Sequence, residues 1–170
     1  MELHWVPATE RTDLLADPVA QAVADLGGAE VAEIDPELAD TAAFCERYGV
    51  TLDESANCVV VAAKRGGETR YAACMVLATM RVDVNGVVRR HLEARKASFA
   101  PMADAVELTG MEYGGITPLG LPGDWPILVD THVAEHPRVV IGSGLRRSKL
   151  AVPGAALAGL KTAEVLPLAG

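Results

Sequence analysis

The chain has 170 residues, of which half are hydrophobic and 22% are charged, and its formal net charge is −8. This length and composition predict one folded domain spanning residues 1–170 and exclude an intrinsically disordered chain. No run of about eighteen apolar residues occurs, and the N-terminal stretch lacks the pattern of a signal peptide. We therefore expect a soluble, cytoplasmic protein with no membrane span.

The charges are distributed unevenly along the sequence. Residues 1–56 hold thirteen acidic and only two basic side chains, and we treat 1–49 as an acidic, helical N-terminal part. Nine of the fifteen Lys and Arg residues fall in two short stretches, 81–96 and 138–149. These stretches indicate either an ordinary solvated surface or a local basic patch that binds nucleic acid.

Two helices are predicted in the N-terminal part. Asp17 and Pro18 form a favourable N-cap and first-turn pair before the segment 19–26, whose apolar residues have helical spacing. The same Asp-Pro signal recurs at 35–36, and it predicts a second helix over 37–48.

A β-hairpin is predicted next. The β-branched run 58–62 and the apolar run 71–79 flank Gly66 and Gly67, two residues that favour a tight turn. A short basic helix is predicted to follow over 87–96.

The remainder of the chain mixes helices and strands. Helices are predicted over 102–109 and 157–165, strands over 126–130 and 139–141, and a long Gly- and Pro-rich loop over 111–123. Because these elements are interspersed without regular β-α-β units, they predict an α+β (mixed α/β) fold, with a mixed sheet or β-barrel flanked by helices.

An ordered set of motifs lies within this part of the sequence. Residues 109–118 read T-G-M-E-Y-G-G-I-T-P, a later strand ends on Asp130, and another strand runs into the turn 142–144, Gly-Ser-Gly. A T-G-x-x-x-G-G-x-x-P loop followed by these two strands resembles the YbaK/ProX family of editing domains. The resemblance covers residues 50–153, which we treat as the editing core.

The resemblance implies a function as well as a fold. Family members are mixed β-barrels flanked by helices, and they hydrolyse in trans the ester between a wrongly attached small amino acid and tRNA, without metal or cofactor. The implied partners are aminoacyl-tRNA and an aminoacyl-tRNA synthetase. The family's Gly-Pro loop holds the substrate carbonyl through its backbone, which marks Gly114 and Gly115 as catalytic residues. The implied substrate-binding residues are Thr117, Pro118, Asp130, Gly142, Ser143 and Gly144.

A lysine of the first hairpin strand defines the main alternative. Family members carry this lysine at a position that falls near Val60 or Ala62 here. Lys64 alternates onto the same face of the strand, so we predict that it reaches the pocket as a catalytic residue. A Lys64 that faces solvent would instead favour a non-catalytic module that binds a nucleotide, an amino-acid-like ligand or a synthetase. A third alternative is hydrolysis of another small ester or amide, independent of tRNA.

Other polar residues are assigned from their type and spacing. Exposed cations of the two basic stretches are predicted to contact tRNA phosphates: Arg89, Arg90, Arg95, Lys96, Arg146, Arg147 and Lys149. His132 and His136 have no third ligand nearby, and the three cysteines match no metal-binding spacing. We therefore predict no metal site and expect the cysteines to be buried free thiols.

Overall fold

The chain forms two β-sheets in a computed structural model that describes residues 2–169. In chain order the strands are β1 (Val6–Pro7), β2 (Glu30–Glu33), β3 (Ala56–Arg65), β4 (Glu68–Leu77), β5 (Lys96–Phe99), β6 (Ile127–Asp130), β7 (Val139–Gly142), β8 (Ser148–Val152) and β9 (Ala163–Leu166). The helices are α1 (Asp17–Val23), α2 (Thr41–Tyr48), α3 (Arg89–His91), α4 (Met102–Thr109), α5 (Thr131–Ala134) and α6 (Gly154–Ala158). The first sheet has the strand order β1-β2-β8-β7 and the second β5-β3-β4-β6-β9.

The hairpin of β3 and β4 is the longest pairing in the second sheet. Its antiparallel register runs from Ala56 opposite Leu77 to Arg65 opposite Glu68. The connecting residues Gly66 and Gly67 have φ values of 59° and 81°, which a type I′ turn requires and which glycine adopts without strain. The predicted hairpin is therefore confirmed, with strands that extend beyond the apolar runs.

The apolar core lies between the two sheets. Met75 and Val129 of the second sheet and Ile141 and Leu150 of the first belong to one buried cluster. The second sheet is mixed, because β6 pairs parallel with both β4 and β9 while β3 pairs antiparallel with its neighbours. A parallel bridge between Ser55 and Val140 links the sheets. The arrangement confirms the predicted mixed α+β fold.

The predicted basic helix over 87–96 is wrong at its C-terminal end. Helix α3 ends at His91, and β5 begins at Lys96 and pairs with residues 61–64 of β3. Pairing with β5 satisfies the free backbone groups of β3 and buries Ala97 in the same cluster as Val88. These gains outweigh the helical preference of a segment that is too short to form a stable helix alone.

Two further helix predictions also need correction. The predicted C-terminal helix over 157–165 is wrong, because α6 ends at Ala158 before Gly159 and β9 then pairs parallel with β6. The helix predicted over 37–48 begins only at Thr41, after a separate 3-10 turn. Both errors arise because the pattern of apolar residues continues across a residue at which the helix begins or ends.

Candidate functional site

A cavity of about 420 Å³ opens where the two sheets meet. Its walls come from the first residues of β3, from β7 and β8, from the N-terminal half of α2, and from the Gly-rich loop after α4. The residues that line it and bear on the argument below are Asp40, Thr41, Phe44, Asn57, Cys58, Tyr113, Gly114, Ile116, Gly142 and Lys149. The fold thus brings together segments that are distant in the sequence.

The Gly-rich loop is fastened to the turn that follows β7. The N–H of Glu112 donates to Gly144 O at 2.9 Å, and the N–H of Gly144 donates to Gly115 O at 2.6 Å. The N–H of Gly115 donates within its own loop, to Glu112 O at 2.9 Å. Because that donor is occupied and Gly115 is buried, the structure does not support its predicted contact with a substrate carbonyl. Gly114, by contrast, lines the cavity.

Lys149 is a buried lysine in the cavity wall. The residue is only 6% exposed, its Nζ donates to Ala39 O at 2.7 Å, and its ammonium lies 5.3 Å from the centre of the Phe44 ring. Burial lowers the pKa of Lys149 to about 8, a fall that the neighbouring Cys45 and Asp40 oppose only in part. Lys149 is therefore largely protonated at neutral pH and is a buried positive charge in the cavity wall.

Two further polar groups belong to the cavity lining. Thr41 Oγ1 donates to Asn57 Oδ1 at 2.6 Å, so the amide nitrogen of Asn57 is the part of that side chain left to meet a ligand. Asp40 lies at the mouth with its side chain 68% exposed, 3.6 Å from Arg146 Nη1. The cavity therefore contains a buried ammonium and, at its mouth, a carboxylate that is paired with Arg146.

The thiol in the cavity is a poor nucleophile. Burial, together with the neighbouring Cys74, raises the pKa of Cys58 far above its ordinary value. A thiolate is the reactive form, so Cys58 is inert at neutral pH. Chemistry in this cavity is therefore expected to use water as the nucleophile.

Lys64 lies elsewhere, and this corrects the prediction that it reaches the pocket. It is exposed near the hairpin end of β3, where it pairs with Thr69, whereas Asn57 at the other end of the strand lines the cavity. A spacing of seven residues along the strand places the two roughly 23 Å apart. Strand alternation gives the face of the strand on which a side chain lies but not its distance from the pocket along the strand.

Several predicted substrate-binding residues are buried and do not line the cavity. Thr117 and Pro118 are buried, and neither is part of the lining. The Ser143 hydroxyl lies within hydrogen-bond distance of Leu145 O at 3.0 Å and of Ser148 O at 3.1 Å, and Gly144 packs where a Cβ would lie 2.4 Å from that of Ala16. Gly142 does line the cavity.

Asp130 is a structural carboxylate rather than part of the cavity. Its side chain is 1% exposed and accepts hydrogen bonds from Leu168 N–H at 2.8 Å, His132 N–H at 3.0 Å and the His132 ring at 3.0 Å. Burial alone would raise the pKa of Asp130, but these hydrogen bonds together lower it below the ordinary value. The carboxylate caps α5 and fastens the C-terminal segment, and it is not among the residues that line the cavity, so its predicted role in substrate binding stays a prediction.

Asp130→Asn should destabilise the fold by about 2–4 kcal/mol. The amide removes the negative charge, and its NH2 group would face one of the backbone N–H donors that the carboxylate now accepts from. The lowered pKa means that the stability from this carboxylate is present at neutral pH and is lost as the pH falls through the folded-state pKa. Urea unfolding at pH 7 and pH 3 tests both points. Equal stability of the variant and the wild type at pH 7 would contradict this assignment.

The predicted tRNA-binding cations fall into two groups. Arg146 reaches the cavity mouth, where its Nη1 donates to Tyr113 O at 2.9 Å, and Arg147 bonds to Asp13 O on the other side of the same turn. The other group belongs to α3 and the start of β5: Arg89, Arg90, Arg95 and Lys96. Lys149 leaves the predicted set, because it is buried.

The prediction from sequence missed the polar residues Lys149, Asn57 and Asp40 as members of one site. Lys149 carried a detectable signal, since it is the one charge in the run 148–152, which is otherwise apolar apart from Ser148. Recognising that run as a buried strand would have marked the lysine as unusual. Asn57 and Asp40 carry no comparable signal, because both lie next to element boundaries where such residues are common.

Within residues 2–169, no group of three or more His, Cys, Asp and Glu side chains is arranged to hold a metal ion. No helix in the same range is long and apolar enough to cross a membrane.

Comparisons with known proteins agree with this architecture. A structure described as a candidate trans-editing enzyme for prolyl-tRNA synthetase superposes with a TM-score of 0.77 at 22% identity, covering 91% of this chain and 96% of that one. The structure of the hypothetical protein APE2540 superposes with a TM-score of 0.80 at 19% identity, covering 91% and 100%. At these identities the likeness shows the fold. No curated protein matches the sequence.

The family model of the aminoacyl-tRNA editing domain matches residues 35–160, which is well over half of the chain. This range includes α2, the hairpin, the Gly-rich loop and β8, and so it contains all the residues named above as lining the cavity. The chain therefore belongs to the aminoacyl-tRNA editing domain family.

Proposed function

We propose that this chain is a trans-acting aminoacyl-tRNA deacylase, which hydrolyses the ester of a small amino acid wrongly attached to tRNA. The observation that carries the proposal is the buried, largely protonated Lys149 in a cavity that also offers Asn57 and the exposed carboxylate of Asp40. An aminoacyl ester is already activated, so its hydrolysis needs a positioned water and a group that stabilises the developing oxyanion.

The proposed reaction uses the side chains of the cavity directly. Water attacks the ester carbonyl carbon, and the carbonyl oxygen takes up the electron pair while the ammonium of Lys149 and the amide of Asn57 stabilise its charge. Collapse of the tetrahedral intermediate breaks the bond to the ribose oxygen. That oxygen receives the proton that the water gave up, and the products are the free amino acid and a tRNA with its hydroxyl restored.

The shape and charge of the cavity favour a small amino acid. A volume of about 420 Å³ lies near the lower end of ligand pockets and has to accommodate the terminal ribose as well as the aminoacyl group. Asp40 at the mouth is the carboxylate that would pair with the substrate's α-ammonium. The related fold of a candidate trans-editing enzyme for prolyl-tRNA synthetase makes tRNA-Pro the first tRNA to test, and a synthetase a candidate partner.

The alternative is a non-catalytic editing-type module that binds a nucleotide, an amino-acid-like ligand or a synthetase. The solvent position of Lys64 is the observation in its favour. The presence of a different lysine inside the cavity weighs against it, because burial of an ammonium is costly and stabilisation of an oxyanion gives a functional reason for that cost.

A deacylation panel tests the proposal. We expect the wild type to release radiolabelled amino acid from Ala-tRNA-Pro or Cys-tRNA-Pro well above the uncatalysed rate. Folded protein that hydrolyses no ester of a small amino acid in the panel would contradict it and favour the binding module. Hydrolysis of simple amino acid esters with no preference for the tRNA substrate would favour the general esterase instead.

A further inference from the structure

A basic cleft lies at the hairpin end of β3, away from the cavity. It has a volume of about 660 Å³ and is formed by the ends of β3 and β4, the Gly66-Gly67 turn and the start of β5. Its lining includes four cations and a single carboxylate, that of Glu68. The cations, which we call the hairpin cations, are Lys64, Arg65, Arg95 and Lys96.

The charges in this cleft are not neutralised within the protein. Lys64 and Lys96 are direct cross-strand partners in the antiparallel pairing of β3 with β5, and like charges in that position are destabilising. Both are exposed, and no carboxylate among residues 2–169 lies within ion-pair distance of either. By contrast, Arg11 and Arg138, two exposed arginines of the chain, each pair with a carboxylate. A concave site that gathers like charges in this way is suited to an anionic ligand.

The cleft and the cavity lie at opposite ends of the same strand. Roughly 23 Å of β3 separates Lys64 from Asn57, and their spacing of seven residues places the two side chains on opposite faces of the strand, so a ligand that contacts both must be extended and flexible. An RNA has this form, because its 3′ end is a flexible single strand and its stem carries a regular array of phosphates. A free phosphate or a small nucleotide would reach only one of the two sites.

We propose that the hairpin cations bind the phosphate backbone of the RNA stem whose aminoacylated 3′ end enters the cavity. The inference rests on the proposed deacylase function and names a second contact surface for its substrate. Lys64 is then a binding residue that acts on affinity, while the bond is broken about seven residues away along the strand. Ammonium and guanidinium contacts to phosphates position a nucleic acid without reading its sequence.

RNA binding tests the surface independently of catalysis. We compare the binding of tRNA that carries no amino acid to the wild type and to the double variant Lys64→Gln/Lys96→Gln. The matched control is Arg11→Gln/Arg138→Gln, which removes the same amount of charge from two arginines that are already paired with carboxylates. The hairpin variant should bind about tenfold or more weakly, and the slope of log K against log salt should fall by about 1 for each phosphate that the variant no longer binds. Equal affinity of the hairpin variant and the wild type would overturn the proposal.

A single charge reversal separates binding from folding. Lys96→Glu places an acidic side chain opposite Lys64, which should keep or raise the Tm while lowering tRNA affinity. Affinity equal to that of the wild type in this variant would also overturn the proposal.

Catalytic rates distinguish failure of this inference from failure of the proposed function. The hairpin variant should show a raised KM for aminoacyl-tRNA, and wild-type kinetics with an aminoacylated 3′ oligonucleotide that lacks a stem. An equal rise in KM with the oligonucleotide would overturn the stem assignment. If the wild type hydrolyses neither substrate, the deacylase proposal fails, and the binding comparison still decides whether the cleft holds RNA.

Discussion

Lys149→Met should lower kcat for deacylation by about 10²–10³-fold, the usual effect of removing one donor from an oxyanion site. Methionine keeps the length and the apolar stem of the side chain but cannot carry charge. The fold should survive, because replacing a buried charge by an apolar group of similar volume is often neutral or stabilising. Loss of the hydrogen bond to the Ala39 carbonyl offsets part of that gain.

The pH dependence of stability gives Lys149 a separate signature. A fall in its pKa from 10.5 to about 8 corresponds to about 3 kcal/mol of unfavourable burial of the charged form. Between these two pH values the unfolded chain binds more protons than the folded chain, so this lysine makes wild-type stability rise with pH. The stability of Lys149→Met relative to the wild type should therefore be greatest below pH 8 and decline towards pH 10.5, as measured by urea unfolding.

Lys161→Met is the matched control for this prediction. Lys161 is exposed, and the same substitution there should change neither kcat nor the pH profile of stability. A Lys149→Met protein with wild-type kcat and full solubility would show that the buried ammonium has no part in the reaction. Activity of a Lys149→Arg variant would not change that conclusion, because a fully active methionine variant already shows that the charge is not needed.

Gly142→Ala should impair both stability and activity. A Cβ at this position would lie 2.5 Å from Gly115 O and 2.8 Å from Ile116 O, and these are backbone atoms that no side-chain rotation can move. The Gly-rich loop would have to separate from β7. We expect a loss of about 1–3 kcal/mol in the free energy of unfolding, typical of overpacking, and a fall in kcat/KM of more than about tenfold.

Gly27→Ala provides the comparison for this effect. A Cβ at Gly27 would meet nothing within 4 Å, and its backbone is not in the left-handed region. The substitution should leave activity unchanged and raise stability by up to about 1 kcal/mol, since alanine restricts the unfolded chain. Denaturant unfolding and deacylation kinetics measured on both variants test the pair. Equal behaviour of the two would contradict the close contact between loop and strand.

Local patterns in the sequence were sufficient for the hairpin and for α4. Two β-branched runs around a Gly-Gly pair predict a hairpin, because both the strand preference and the turn geometry are encoded within a few residues. Helix α4 has the predicted bounds 102–109 and ends at Gly110 in the left-handed conformation. The edge strand β5 was not predictable in this way, since its stability comes from β3, more than thirty residues earlier in the chain.

Of the candidate site, only the Gly-rich loop and Gly142 could be predicted from sequence. The Gly-rich motif pointed to the cavity, and its second glycine is required here by close packing, because a Cβ at Gly115 would lie 2.9 Å from the carbonyl of Leu145. The charged residues of the cavity come instead from α2, β3 and β8, which only tertiary folding brings together. Alternation of side chains along β3 suggested that Lys64 replaces the lysine that family members carry in this strand. The structure shows instead that Lys149 of the buried strand β8 is the lysine in the cavity wall.

The measurement that tests the central claim most directly is the initial rate of alanine release from Ala-tRNA-Pro by the wild type and by Lys149→Met, at equal concentrations and at pH 7. We predict rapid release by the wild type, and release slowed by about 10²–10³-fold in the variant. Equal rates for the two folded proteins, whether both fast or both at the uncatalysed level, would contradict the claim that Lys149 makes this cavity an aminoacyl-tRNA deacylase site.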